Sequence, residues 1–187
     1  MNWDSIAEEY LAVAEEVFGS LKTKVEAVAD EIVSRVREGN KILVCGNGGS
    51  AADAQHLAGE MINKFLKERK PYPAVALSTD TSVITAIGND YGYEYIFEKQ
   101  VRGLGSSGDV LIGISTSGEA QNVLNAVRAA KHMNMLTVGL TGGRGGRLAE
   151  MANEVIRVSS SECTPRIQEG HQLIIHALCE RIEEVLG

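Results

Sequence analysis

The sequence has no excess of positive charge. Lys and Arg number 18 against 25 Asp and Glu, for a net charge of -7. The basic footprint of a nucleic-acid binder is therefore missing. An anionic ligand would have to be drawn in by local dipoles against the overall field. Cysteines are three, Cys45, Cys163 and Cys179, an odd number whose spacings match no metal motif. They read as spectator thiols in a reducing compartment. No apolar run approaches the ~20 residues that a membrane helix needs. The start, Met1-Asn2-Trp3-Asp4, shows neither the basic nor the apolar region of an export signal. Linkers, internal repeats and low-complexity tracts are also absent. These absences lead to the expectation of a cytoplasmic protein with neither nucleic acid nor membrane as partner. They also predict one domain over residues 1–187.

What is present is a globular composition, 44% apolar. Residues 1–38 read as helix. Val13, Val17, Leu21, Val25, Val28, Ile32 and Val36 recur at spacings of three or four, with a break near Gly19-Ser20. This stripe must bury against the rest of the domain, a partner subunit, or both. Five short apolar runs follow: Ile42 to Cys45, Ala74 to Leu77, Val110 to Ile114, Leu136 to Leu140 and Val155 to Val158. Helical stretches separate them, and a long last helix spans about 164–186. The alternation predicts an α/β fold, a three-layer αβα sandwich around a five-stranded parallel sheet with added N-terminal helices.

In such a sheet, ligands bind beyond the carboxyl ends of the strands. After the first run comes Gly46-Asn47-Gly48-Gly49-Ser50, then a helix. This is either an anion-binding turn or only a tight strand-to-helix connection. Ser50 is expected to cap the helix, with Asp53 closing a variant capping box. After the third run comes Ser115-Thr116-Ser117-Gly118, whose hydroxyls and helix-end amides can hold phosphate without a cation. Neither turn fits a dinucleotide fingerprint or a P-loop. Thr141 to Gly146 reads as a flexible loop, either near the site or a plain connection. Thr164 is expected to cap the last helix, with Pro165 at its first position.

Proton carriers are scarce. His56 and Glu60 sit at i and i+4, facing the same way. They are an acid–base pair, a pair of metal ligands, or a surface pair. Gln168, Gln172 and His176 form a polar stripe on the last helix, where a histidine is otherwise read as a core or interface residue. His132 and His171 get that same reading.

Five segments together resemble the phosphoheptose isomerases of the SIS superfamily. They are Cys45 to Glu60, Leu77-Ser78-Thr79-Asp80, Ala86 to Tyr93, Gly113 to Gly118, and Thr164-Pro165-Arg166-Ile167-Gln168-Glu169-Gly170-His171. The resemblance runs from the N-terminal helices nearly to the last residue. It implies aldose–ketose isomerisation of D-sedoheptulose 7-phosphate to D-glycero-D-manno-heptose 7-phosphate. The product would supply heptose to a cell-surface glycan such as lipopolysaccharide. Also implied are substrate contacts from Asn47, Gly48, Gly49, Ser50, Glu60, Asn89, Asp90, Ser115, Thr116, Ser117 and Gln168. Glu60 and His176 would be the acid–base pair. A zinc ion would be held by His56, Glu60, Gln168 and His176. The family pattern is a homotetramer with active sites between subunits. Some members carry a phosphate-binding serine where this chain has Ala120, and an aspartate where it has Pro165. A competing reading is a non-catalytic SIS protein that binds the replication initiator or senses a phosphosugar. The glutamate at position 60 argues against the initiator binders, which lack it.

Overall fold

The structure, a computed structural model, describes residues 1–187. Its strands are β1 (Ile42–Gly46), β2 (Ala74–Ala76), β3 (Val110–Ser115), β4 (Leu136–Gly142) and β5 (Glu154–Val158). They form one all-parallel sheet in the order β2-β1-β3-β4-β5. The helices are α1 (Trp3–Phe18), α2 (Lys22–Arg37), α3 (Gly49–Ile62), α4 (Thr81–Asp90), α5 (Ile96–Leu104), α6 (Gln121–His132), α7 (Gly146–Met151) and α8 (Thr164–Leu186). A single 3-10 turn, Tyr93–Tyr95, precedes α5.

The strands are almost wholly apolar because both faces of the sheet are covered. Alternate residues point to opposite layers. Ile42 and Val44 join α1, α2, α3 and α8 in one core. Leu43 and Cys45 join α5, α6 and α7 in the other. The helical period of residues 1–38 is borne out, and the chain breaks between Phe18 and Lys22 as the glycine predicts.

The helix starts differ from expectation. Ser50 does not cap α3: Gly48 takes that position, and no side chain caps the helix. Ser50 lies inside the first turn, buried, and Asp53 Oδ2 has no hydrogen-bond partner, so there is no capping box. Likewise α8 starts from Cys163, whose carbonyl accepts the Ile167 N–H at 3.0 Å, and Thr164 is already helical. In both cases the backbone turns one or two residues earlier than the hydroxyl residue. All three cysteines are free, Cys45 and Cys179 buried and Cys163 exposed.

His171 is a core histidine, as its apolar setting suggested. It is fully buried, and its Nε2–H donates to the Thr141 carbonyl at 3.0 Å. Burial pushes its pKa down from the usual 6.5 to about 4. The unfolded chain therefore binds a proton that the folded chain resists. Stability is whole above pH 6.5 and is lost as pH falls toward 4. The loss should reach roughly 3 kcal/mol. Denaturant unfolding of the native chain and of His171→Gln across this range, at one protein concentration, checks it. Equal pH slopes for the two would show that another group is responsible.

Candidate active site

The sheet order places its topological switch point between β1 and β3, since β1 continues to β2 on one side while β3 continues to β4 on the other. Ligands in open parallel sheets bind in the crevice at that point. The two turns singled out from sequence are the ones that leave these strands. The β1–β3 register, Gly46 opposite Ile114, brings them side by side.

The β1 turn is held by amides. Asn47 and Asn122 exchange two reciprocal side-chain bonds, both 2.8 Å, and the Tyr93 hydroxyl donates to Asn47 Oδ1 at 3.0 Å. Gly49 lies under the Gln168 amide: a methyl group on it would come 2.8 Å from Gln168 Cδ. The start of α8 therefore lies on the start of α3.

The β3 turn is held by the next loop. The Gly142 N–H donates to the Thr116 carbonyl at 3.1 Å, and the Leu148 N–H to the Gly118 carbonyl at 3.0 Å. Ser117 Oγ accepts from the Glu119 N–H at 3.2 Å. The Glu119 carboxylate accepts from Arg147 N and Nε at 2.8 and 2.6 Å. Thr141 to Gly146 is thus no plain flexible loop. It is the strut that fixes the serine turn. Ser115 is buried, whereas Ser117 faces solvent. Ala120 caps α6 without a side-chain bond, so this position adds no hydroxyl donor to the turn.

The proton carriers meet where α3 crosses α8. His56 Nε2 faces His176 Nε2 at 3.0 Å, and Glu60 Oε1 lies 3.5 Å from His56 Nε2. The spacing of four on α3 does set His56 and Glu60 on one face. Their side chains are 38% and 26% exposed. Gln172 Nε2 is 3.4 Å from His176 Nε2, so Gln172 is the amide that reaches the imidazole pair. Gln168, two turns earlier on the continuous α8, instead contacts the β1 turn. Asp53, one turn before His56, is buried, which pushes its pKa up to about 6 against the pull of the His56 charge. Asn89 and Asp90 sit exposed at the end of α4, bonded to each other at 2.8 Å and to neither turn. No three His, Cys, Asp or Glu side chains enclose a point as ligands of an ion would. The nearest approach is the pair of imidazoles with Glu60 beside it.

Asn122 and Tyr93 were not found from sequence. The available signal was Asn122 and Asn125 among the otherwise apolar buried residues of α6.

Sheet order, turn positions and these side chains define the class first. The SIS domain family model matches residues 7–142 of the chain. The phosphoheptose isomerase of Burkholderia pseudomallei (strain 1710b) is 52% identical over 163 residues, 87% of this chain and 82% of that protein. The solved phosphoheptose isomerase of Francisella tularensis superposes with a TM-score of 0.93 at 42% identity, covering 97% of this chain and 96% of that one. That of Neisseria gonorrhoeae gives 0.91 at 44% identity, with the same coverage. The chain belongs to the SIS-domain proteins and, within them, to the phosphoheptose isomerases. Membership sides with an enzyme over the non-catalytic readings.

Proposed function

We propose that the chain interconverts sedoheptulose 7-phosphate and D-glycero-D-manno-heptose 7-phosphate through an enediolate, with Glu60 and His176 moving the protons. The observation that carries this is the meeting of a carboxylate and two imidazoles at the α3–α8 crossing. The reaction takes a proton from C1 and returns one to C2. It needs a base, an acid opposite, and donors toward the developing oxyanion. His56 lies seven residues along α3 from Gly49, about 10 Å by helical rise. That separation suits a ligand whose phosphate and reacting carbons are at opposite ends of a seven-carbon chain. Asn47, Gly48, Gly49, Ser50, Ser115, Thr116 and Ser117 are the phosphate-end contacts in this reading. Gln168 contacts the sugar, and Asn89 and Asp90 close over it from α4. Binding at the phosphate end then orients the carbons that react.

The zinc ion is placed here on the family pattern, with two imidazole nitrogens and the Glu60 carboxylate as the nearest donors. At 3.0 Å one imidazole can donate its Nε2–H to the other, and with both in the Nδ1–H tautomer the two facing lone pairs would take a cation. His56, Glu60 and His176 would hold it, and Gln168, the further family ligand, would have to leave its contact with Gly49 to join them. When bound, zinc supplies Lewis-acid polarisation of the carbonyl. The chain's own residues orient the sugar and carry its protons.

The phosphate end has a direct test. Ser115→Ala and Ser117→Ala each remove a hydroxyl donor. Each should weaken binding by about 1–2 kcal/mol, a rise in KM of about 5- to 30-fold. Steady-state kinetics with sedoheptulose 7-phosphate reads this, and unchanged KM in both would reduce the turn to a structural cap.

The chain is further proposed to be one SIS domain that assembles as a cytoplasmic homotetramer, with active sites between subunits. Supporting this, α1 has two apolar faces. Val13 and Val17 are buried, while Trp3, Leu11 and Phe18 stand 69%, 58% and 62% exposed. The partly open His56 and Glu60 also need cover from water. Leu11→Asp with Phe18→Asp should yield smaller species in sedimentation velocity. A native chain that is monomeric at micromolar concentration would oppose the proposal.

A further inference from the structure

Seven residues beyond His176, and so on the same face of α8, lies Glu183. Its side chain is 2% exposed, a rare place for a carboxylate. Three successive main-chain N–H groups donate to it: Phe65 at 3.1 Å, Leu66 at 2.8 Å and Lys67 at 2.9 Å. Arg69 Nε adds a fourth bond at 3.0 Å. All four come from the segment that leaves α3. Arg69, 3% exposed, then turns back on that helix. Its Nη2 donates to the Glu60 carbonyl at 2.8 Å and its Nη1 to the Met61 carbonyl at 3.0 Å. Carbonyls of a last helical turn lack partners within the helix, and here a guanidinium supplies them. The same guanidinium lies 4.0 Å from the centre of the Tyr72 ring, which keeps its fork in one plane. Phe65, whose N–H is fixed by Glu183, sets its ring 5.6 Å from the His176 imidazole.

One buried ion pair thus holds the main chain of Glu60 on one side and backs the ring of His176 on the other. Its bonds go to neither the Glu60 carboxylate nor the His176 imidazole. We infer that Arg69 and Glu183 are a positioning pair: they set the separation between the Glu60 carboxylate and the His176 imidazole across the reacting carbons. They therefore govern turnover and not substrate affinity. The inference rests on the acid–base reading of Glu60 and His176. Its physical basis is the steepness of proton transfer with distance. The phosphate turns hang from β1 and β3 and are held by Asn122, Tyr93 and Arg147, none of which bonds to this pair.

Arg69→Lys is the first variant, because it keeps the buried positive charge but cannot reach Glu60, Met61 and Glu183 together. Glu183→Gln is the second. It keeps the shape and weakens the anchor of all three N–H groups. Circular dichroism and sedimentation select the variants that fold and assemble as the native chain does. In these, kcat for sedoheptulose 7-phosphate should fall by roughly 10- to 100-fold with KM unchanged. Added to Glu60→Gln, the same change should cost little more, because the group it positions is already gone. A folded variant with native kcat, or one whose KM rises while kcat holds, overturns the positioning role. So does a full multiplicative loss on top of Glu60→Gln. If Glu60→Gln alone keeps native turnover, the acid–base reading fails and this inference with it. If Glu60→Gln is inactive and both clamp variants turn over normally, only this inference falls.

Discussion

Glu60→Gln should lower kcat by at least roughly 10²- to 10⁴-fold, the range that a positioned general base supplies. The substitution is nearly isosteric, and Glu60 is held in α3 by its main chain, through the Arg69 guanidinium. The fold should therefore survive. A neutral amide neither takes the proton from C1 nor serves as well in the donor set with His56 and His176. The two losses separate when bound metal is measured on the same preparation. Slow turnover with zinc retained marks Glu60 as the base. Slow turnover with zinc lost, restored by excess metal, marks it chiefly as a ligand. Near-native turnover by a folded variant would return His56 and Glu60 to an ordinary surface pair.

Gly118→Ala should have the largest effect on the phosphate end. Gly118 has a φ of +69°, in the left-handed region, and closes the serine turn. A methyl group there would come 2.6 Å from the Gly145 carbonyl carbon and closer still to its oxygen. Both atoms are main chain, and the segment around Gly145 is tied to the turn itself, by the Gly142 N–H on Thr116 and the Arg147 N–H on Glu119. Nothing can yield without moving the turn. Strain at such a position costs on the order of 1–3 kcal/mol before the clash is added. Thermal unfolding should shift clearly downward. Any folded fraction should bind sugar phosphate more weakly than either serine variant. A variant with native stability and KM would show that the turn is more pliable than its contacts imply.

The layers of the fold were legible because each left a local pattern. Val13 to Val36 repeat with a helical period, and five apolar runs mark strands covered on both sides. The glycine and serine turns stood out after the first and third runs, but the switch point between them came only from the strand order. Helix caps were not legible at one-residue resolution. Ser50 and Thr164 have the right chemistry, yet Gly48 and Cys163 turn first. The pairings that hold the site were hidden for a different reason. Asn47 and Asn122 are 75 residues apart, and Arg69 and Glu183 are 114 apart. Arg69 lies in sequence among the charged residues Lys64, Lys67, Glu68 and Lys70, and only the three-dimensional fold buries it. Gln168 and His176 are eight residues apart, about 12 Å along a straight helix. The continuous α8 leaves Gln168 on Gly49 and places Gln172 beside His176.

Isomerisation through an enediolate is the central claim, and proton NMR of sedoheptulose 7-phosphate incubated with the zinc-supplemented protein in D₂O tests it most directly. The account predicts that the ketose is converted to an aldoheptose 7-phosphate carrying solvent deuterium at C2. That label requires a proton to leave C1 and a solvent-derived one to arrive at C2 by way of Glu60 and His176. A ketose that stays unchanged with folded, assembled protein would contradict the isomerase. An aldose whose C2 hydrogen comes wholly from C1 would contradict the two-residue proton transfer proposed for it.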